Sequence, residues 1–187
     1  MNLRSVTMGA MMALMVACGG KAETQTGTSG GTPAPSAPAE AAKPAEPAAK
    51  PLELKATIDI GAAVMARDPD NTSWKGISIQ APEGAKVDPD GMMIVIDDRR
   101  SVGLGGEKDI AEKKQQAQSS SLQKFVKFIV DEPGAIFWEA EGNFLFVANV
   151  KLGEDKVKSC TNDGYGTFTK DDAQKLFDAC RALKLAP

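Results

Sequence analysis

The sequence predicts an α+β domain, with a mainly antiparallel sheet of about six strands and two helices packed on it. Three observations carry that expectation. Between residues 53 and 151 several short runs alternate apolar and polar side chains at the two-residue period of strands, each closed by a turn signal. Three of these runs, KFVKFIVD, AIFWEAE and NFLFVANVKL, are separated only by EPG and EGN, which reads as a meander. Near the C-terminus Ala173, Leu176, Phe177, Cys180 and Leu183 recur at helical spacing, which places one apolar face against a sheet.

Taken in chain order, the globular part spans residues 53–187. TIDI, KGISIQ with Ile77 and Ile79, and MMIVID read as strands, bounded by the turn signals DPDN, PEGA and DPDG. The stretch EKDIAEKKQQAQSSSL, 107–122, is rich in helix formers but offers only Ile110, Ala111, Ala117 and Leu122 for burial. It is expected to be a mostly solvated helix with a frayed serine end. In NFLFVANVKL, Phe144, Phe146, Ala148 and Val150 fall on one face and Leu145, Val147, Asn149 and Lys151 on the other. Apolar residues on both faces predict a central strand covered on each side. The closing helix is expected over about 169–184, with Thr169 as its N-cap and Asp171 and Asp172 in the first turn, where the helix dipole favours negative charge.

The first 17 residues, MNLRSVTMGAMMALMVA, set Arg4 ahead of an uncharged, largely apolar run that is too short for a permanent membrane span, the pattern of an export signal. MVAC, residues 15–18, resembles the lipobox of bacterial lipoproteins. That resemblance implies cleavage after Ala17 and acylation of Cys18, which would hold the protein on a membrane through its lipid chains. A plain secretory signal that happens to contain a cysteine is the alternative. Gly19, rather than Asp, after the lipidated position implies passage to the outer membrane, facing the periplasm. Residues 18–52 carry the lipidated cysteine and then a Gly/Ser-rich and a Pro/Ala-rich stretch with almost no large apolar side chain, expected to be a flexible linker. Such a linker spans roughly 30 Å as a coil, and its Pro-rich part reaches about 60 Å in polyproline geometry.

If Cys18 is lipidated, two cysteines remain, Cys160 and Cys180, in a chain bound for an oxidising compartment. A disulfide joining the segment around Cys160 to the C-terminal helix is expected, with free thiols or an intermolecular bridge as the alternatives. The intervening TNDGYGTFTKDD, 161–172, also invites comparison with a calcium loop. Asp163, Gly166 and Asp172 fit positions 3, 6 and 12, but Thr161 and Tyr165 stand where oxygen-rich ligands belong and no helix precedes it, so metal binding is not expected.

The chain contains no histidine, which removes Ser-His-Asp and Cys-His catalytic arrangements. Setting aside the four basic and three acidic residues before Glu53 leaves 18 Lys plus Arg against 22 Asp plus Glu, so nucleic acid is not an expected partner. Glu139 and Glu141 would share one strand face as a candidate carboxylate pair, although a solvated strand face is the simpler reading. GLGGEKD, 103–109, lacks the endings of phosphate-binding loops and is expected to be a flexible turn into the helix. Trp138 belongs with Ile136 and Ala140 in the core. Trp74, beside a turn, is either a binding aromatic or buried under its loop. The order of elements, opening on ISIQAPEGAKV, resembles the Mog1/PsbP α/β/α sandwich, which implies a binding or assembly protein without a catalytic site; no cofactor is expected. The functional expectation is a membrane-tethered envelope module that binds a protein partner, with a carboxylate-dependent enzyme and a structural spacer as alternatives.

Overall fold

The computed structural model describes residues 50–90, 92–154 and 156–185, and the expected signal peptide, Cys18 and nearly all of the expected linker lie outside them. The first strand, β1 (Leu54–Asp59), carries the alternating burial its sequence predicts. Instead of continuing, the chain turns at once into α1 (Ile60–Arg67), a helix absent from the sequence reading. Asp59 caps it, accepting a hydrogen bond from the N–H of Ala62 at 2.8 Å. Gly61 inside this helix is required by close packing. A Cβ there would stand 2.4 Å from the carbonyl oxygen of Trp74, so the helix rests directly on that backbone.

Next come β2 (Ile77–Pro82), β3 (Lys86–Asp88), β4 (Met93–Val95) and β5 (Ser101–Gly106). The last of these corrects the reading of residues 103–109 as a flexible turn. Gly103 to Gly106 are strand residues, in register with Thr161 to Lys158 of β9 (Val157–Thr161). They are glycine partly because the ring of Tyr165 lies on this strand, 2.6 Å from where a Cβ of Gly103 would stand. The polar helix α2 (Ile110–Ser119) starts at the cap residue Asp109 and buries Ile110 and Ala117. Ala111 is exposed and Leu122, beyond the helix end, is 90% exposed, so neither joins the core as expected.

The meander forms as predicted: β6 (Phe125–Glu132), β7 (Ala135–Ala140) and β8 (Asn143–Lys151). After β9 comes α3 (Lys170–Arg181), capped by Thr169, and a two-residue strand β10 (Lys184–Leu185). The strands form a seven-stranded sheet, ordered β3-β4-β5-β9-β8-β7-β6, and a three-stranded sheet, β1-β2-β10, all with antiparallel neighbours. The α+β class with its mainly antiparallel sheet therefore holds, with a larger main sheet, a second small sheet and three helices among the described residues.

Both faces of the main sheet are covered. Ile136, Trp138, Ala140, Leu145 and Val147 form one apolar cluster with Ile110 and Ala117 of α2. On the other face Phe137, Phe146, Ala148 and Cys160 join the larger core with Leu176, Phe177 and Cys180 of α3. Phe177 stacks on Phe137 at 5.6 Å and tilts against Phe146 at 5.7 Å, which sets the seat of α3 on β7 and β8. The expected disulfide is present. Cys160 on β9 and Cys180 on α3 are joined with Cα atoms 6.0 Å apart, and both residues are fully buried.

Candidate functional site: the clasp where the chain enters the fold

Leu52 is the first apolar residue after the Pro/Ala-rich stretch, and it is driven into the core, 6% exposed, ahead of β1. Burying it also removes its peptide group from water, so both backbone polar atoms need partners. Both find them on α3. The N–H of Leu52 donates to Oδ1 of Asp172 at 2.7 Å, and Nζ of Lys175 donates to the Leu52 carbonyl oxygen at 2.7 Å. These two side chains lie on one face of α3 because they are three residues apart on the helix.

Asp172 is 1% exposed, and its second oxygen accepts from Nη1 of Arg100 at 3.1 Å. The Arg100 side chain, 11% exposed, also pairs with Asp97, through Nε to Oδ2 at 2.9 Å and Nη2 to Oδ2 at 2.8 Å. Asp97 is bound further by the backbone N–H groups of Arg99 and Arg100 at 3.0 and 2.8 Å. Partial burial opposes ionisation of Asp97, but the Arg100 guanidinium and these N–H bonds together outweigh it and hold its pKa below the ordinary carboxylate value. The turn that carries Asp97 and Arg100 is held from above by the loop after β9. There Ser101 N–H donates to the Tyr165 carbonyl oxygen at 2.9 Å, and Gly166, at φ 114°, passes so close that a Cβ would stand 2.2 Å from the Arg99 carbonyl oxygen.

Open grooves flank the Leu52 segment. One, of about 850 Å³, runs between Lys50 to Lys55 and the Ile96, Asp97 and Arg100 turn; the other, of about 400 Å³, lies against Thr169 to Asp172 and Lys175. At the lip Glu53 pairs with Lys55, whose hydrogen bond and charge lower the Glu53 pKa. Both oxygens of Asp172 and Nε, Nη1 and Nη2 of Arg100 already have partners within the fold.

The residues singled out from sequence fall elsewhere. Glu139 lies on β7 and pairs with Lys127 at 3.7 Å, whereas Glu141 has left the strand. It sits with Gly142 in the β7–β8 turn at φ 45° and 79°, so the two carboxylates do not share a strand face. Trp74 is 2% exposed, so of its two readings the burial under its loop is the one the fold adopts. Its side chain belongs to the larger core, and Lys158 caps the ring with Nζ 4.5 Å from its centre. Burial there, with a smaller contribution from Lys156, lowers the pKa of Lys158. The acidic residues of the calcium comparison point to different sides, Asp163 towards Lys113 at 3.7 Å and Asp172 into the clasp. No group of three His, Cys, Asp or Glu side chains that could hold a metal occurs among the described residues. No helix among them is long and apolar enough to cross a membrane.

Sequence reasoning missed Leu52, Asp97, Arg100 and Lys175. The one legible signal was a lone leucine at the end of a segment otherwise without large apolar residues. Compared with protein-family models, curated proteins and solved structures, the chain matches none.

Proposed function

We propose that this protein is a lipid-anchored lipoprotein of the bacterial cell envelope, held at the outer membrane and facing the periplasm, whose domain is a non-catalytic binding or assembly module. The lipobox-like MVAC and the Pro/Ala-rich stretch supply the anchor and the tether in this reading. The single observation that carries it is the clasp. The residue at which the Pro/Ala-rich stretch ends is fixed to the fold by two hydrogen bonds to charged side chains and by its own burial, as a domain held by its N-terminal side requires.

Helices on both faces of an antiparallel sheet are in keeping with the layering that the sequence resemblance to the Mog1/PsbP sandwich implies, and the assembly role rests on that resemblance. Two experiments test the proposal. Radiolabelled palmitate should enter the wild-type chain in its bacterial host and not the Cys18→Ser variant, and equal labelling of both would refute the anchor. Crosslinking in intact envelopes should recover a reproducible protein partner that is lost when the domain is deleted but the anchor kept. Recovery unchanged by the deletion would refute the binding role of the domain.

A further inference from the structure

The clasp does more than satisfy a buried peptide group, because of what its partners are attached to. Among the described residues β1 is an edge strand of the small sheet, bonded to β2 and to no other strand. An edge strand pulled from its end gives way a bond or two at a time, so tension from the N-terminal side would peel β1 first unless something ahead of it resisted. Leu52 lies ahead of it, and is held by Asp172 and Lys175, both on α3. Within that helix Cys180 is bonded covalently to Cys160 on β9, and β9 is bonded on one side to β5 and on the other to β8.

We infer that Pro51 and Leu52 form a strap that carries tension from the N-terminal chain into α3 and, through the Cys180–Cys160 disulfide, into the middle of the seven-stranded sheet, bypassing β1. The inference rests on the tethered reading above for its biological purpose, but its physics concerns the folded domain alone. The strap resists as a unit, since two hydrogen bonds to charged groups and a buried leucine must fail together. Arg100 and Asp97 brace Asp172 from the other side, so the carboxylate does not swing outward with the strap.

The test is single-molecule pulling on the full-length chain in detergent, with one handle at the N-terminal end and the other on an azide-bearing residue at position 151, the exposed end of β8. The wild-type chain should extend without an early step until the main sheet fails. Leu52→Ala and Lys175→Met should each add a low-force step of roughly 20 Å, the length of the six residues of β1. Reducing the disulfide should lower the main unfolding force of the wild type.

Hydrogen exchange without load provides the second readout. In either variant the amides of Lys55 to Ile58 should exchange at least about tenfold faster, while those of β7 and β8 stay unchanged. If both variants pull like the wild type, or if all amides speed up together, the strap has no separate role and the inference falls. Because the pulling and exchange readouts depend on the folded domain and not on whether Cys18 carries lipid, their failure is distinct from a failure of palmitate labelling, which bears on the anchor alone.

Discussion

Replacing Asp172 by Ala tests the clasp most directly. In the folded state its carboxylate is 1% exposed, accepts the Leu52 N–H at 2.7 Å and pairs with Arg100 at 3.1 Å. A hydrogen bond to a charged group contributes about 1.5–3 kcal/mol, and its loss here strands a buried N–H. Breaking a fully buried ion pair costs about 3–5 kcal/mol, but Arg100 retains Asp97 and is 11% exposed, so that part falls towards or below the lower limit. Together these give a loss of about 3–4 kcal/mol for Asp172→Ala, or a fall in Tm of roughly 12–16 °C for a domain of this size. Urea denaturation followed by tryptophan fluorescence measures it, with the slope expected to stay constant, because the extent of folded surface does not change. Asp172→Asn keeps an oxygen for the Leu52 N–H but turns an amide N–H towards Nη1 of Arg100, losing that bond as well as the charge, so it should cost about 2–3 kcal/mol, still less than the Ala variant. A double-mutant cycle with Arg100→Ala should give a coupling of about 1–2 kcal/mol. An Asp172→Ala protein within 1 kcal/mol of wild type, or an Asn variant as unstable as the Ala variant, would refute this account of the clasp.

Three further outcomes follow from the same geometry. Asp97 has a folded-state pKa below its ordinary value of 3.8, so its contribution is present above that value and is lost as pH falls through the lower, folded one; Asp97→Asn should show its full, pH-independent deficit above about pH 4, and that deficit should shrink as pH falls below it, which flattens the acid limb of stability seen in denaturation midpoints from pH 2 to 7. Removing the disulfide as Cys160→Ala with Cys180→Ala should cost about 3 kcal/mol, the chain-entropy value for a bridge spanning 20 residues, and a loss under 1 kcal/mol would show that the bridge adds little constraint. Gly61→Ala should destabilise by about 1–3 kcal/mol despite the higher helix propensity of Ala, because the added methyl meets the Trp74 backbone oxygen at 2.4 Å; a stabilised variant would mean that α1 can lift from that loop at no cost.

The meander, α2 and α3 were legible because each has a strong local signal. β7 and β8 alternate large apolar side chains, and α3 repeats its apolar face over three turns behind a threonine cap. α1 was not, since IGAAVMAR is apolar on nearly every side and holds a glycine, and its only start signal, Asp59, was absorbed into an apparent strand. β9 was missed for a different reason. VKSCT has little pattern of its own and is a strand because β5 and β8 lie on either side with unpaired backbone groups to satisfy. The same holds for the glycines of β5, whose composition suggested a loop while their neighbours imposed a strand.

Composition, periodicity and capping thus determined the α+β class, the meander, the closing helix and the pairing of two sulfurs, because each depends on residues near in sequence or on simple counting. The clasp depends on residues up to 123 positions apart, and neither Arg100 beside Asp97 nor Asp172 beside Thr169 announces a partner in its own neighbourhood. Only folding brings Leu52, Arg100 and the first turn of α3 together, and only there, with Leu52 and Asp172 buried, must these ordinary surface residue types satisfy one another.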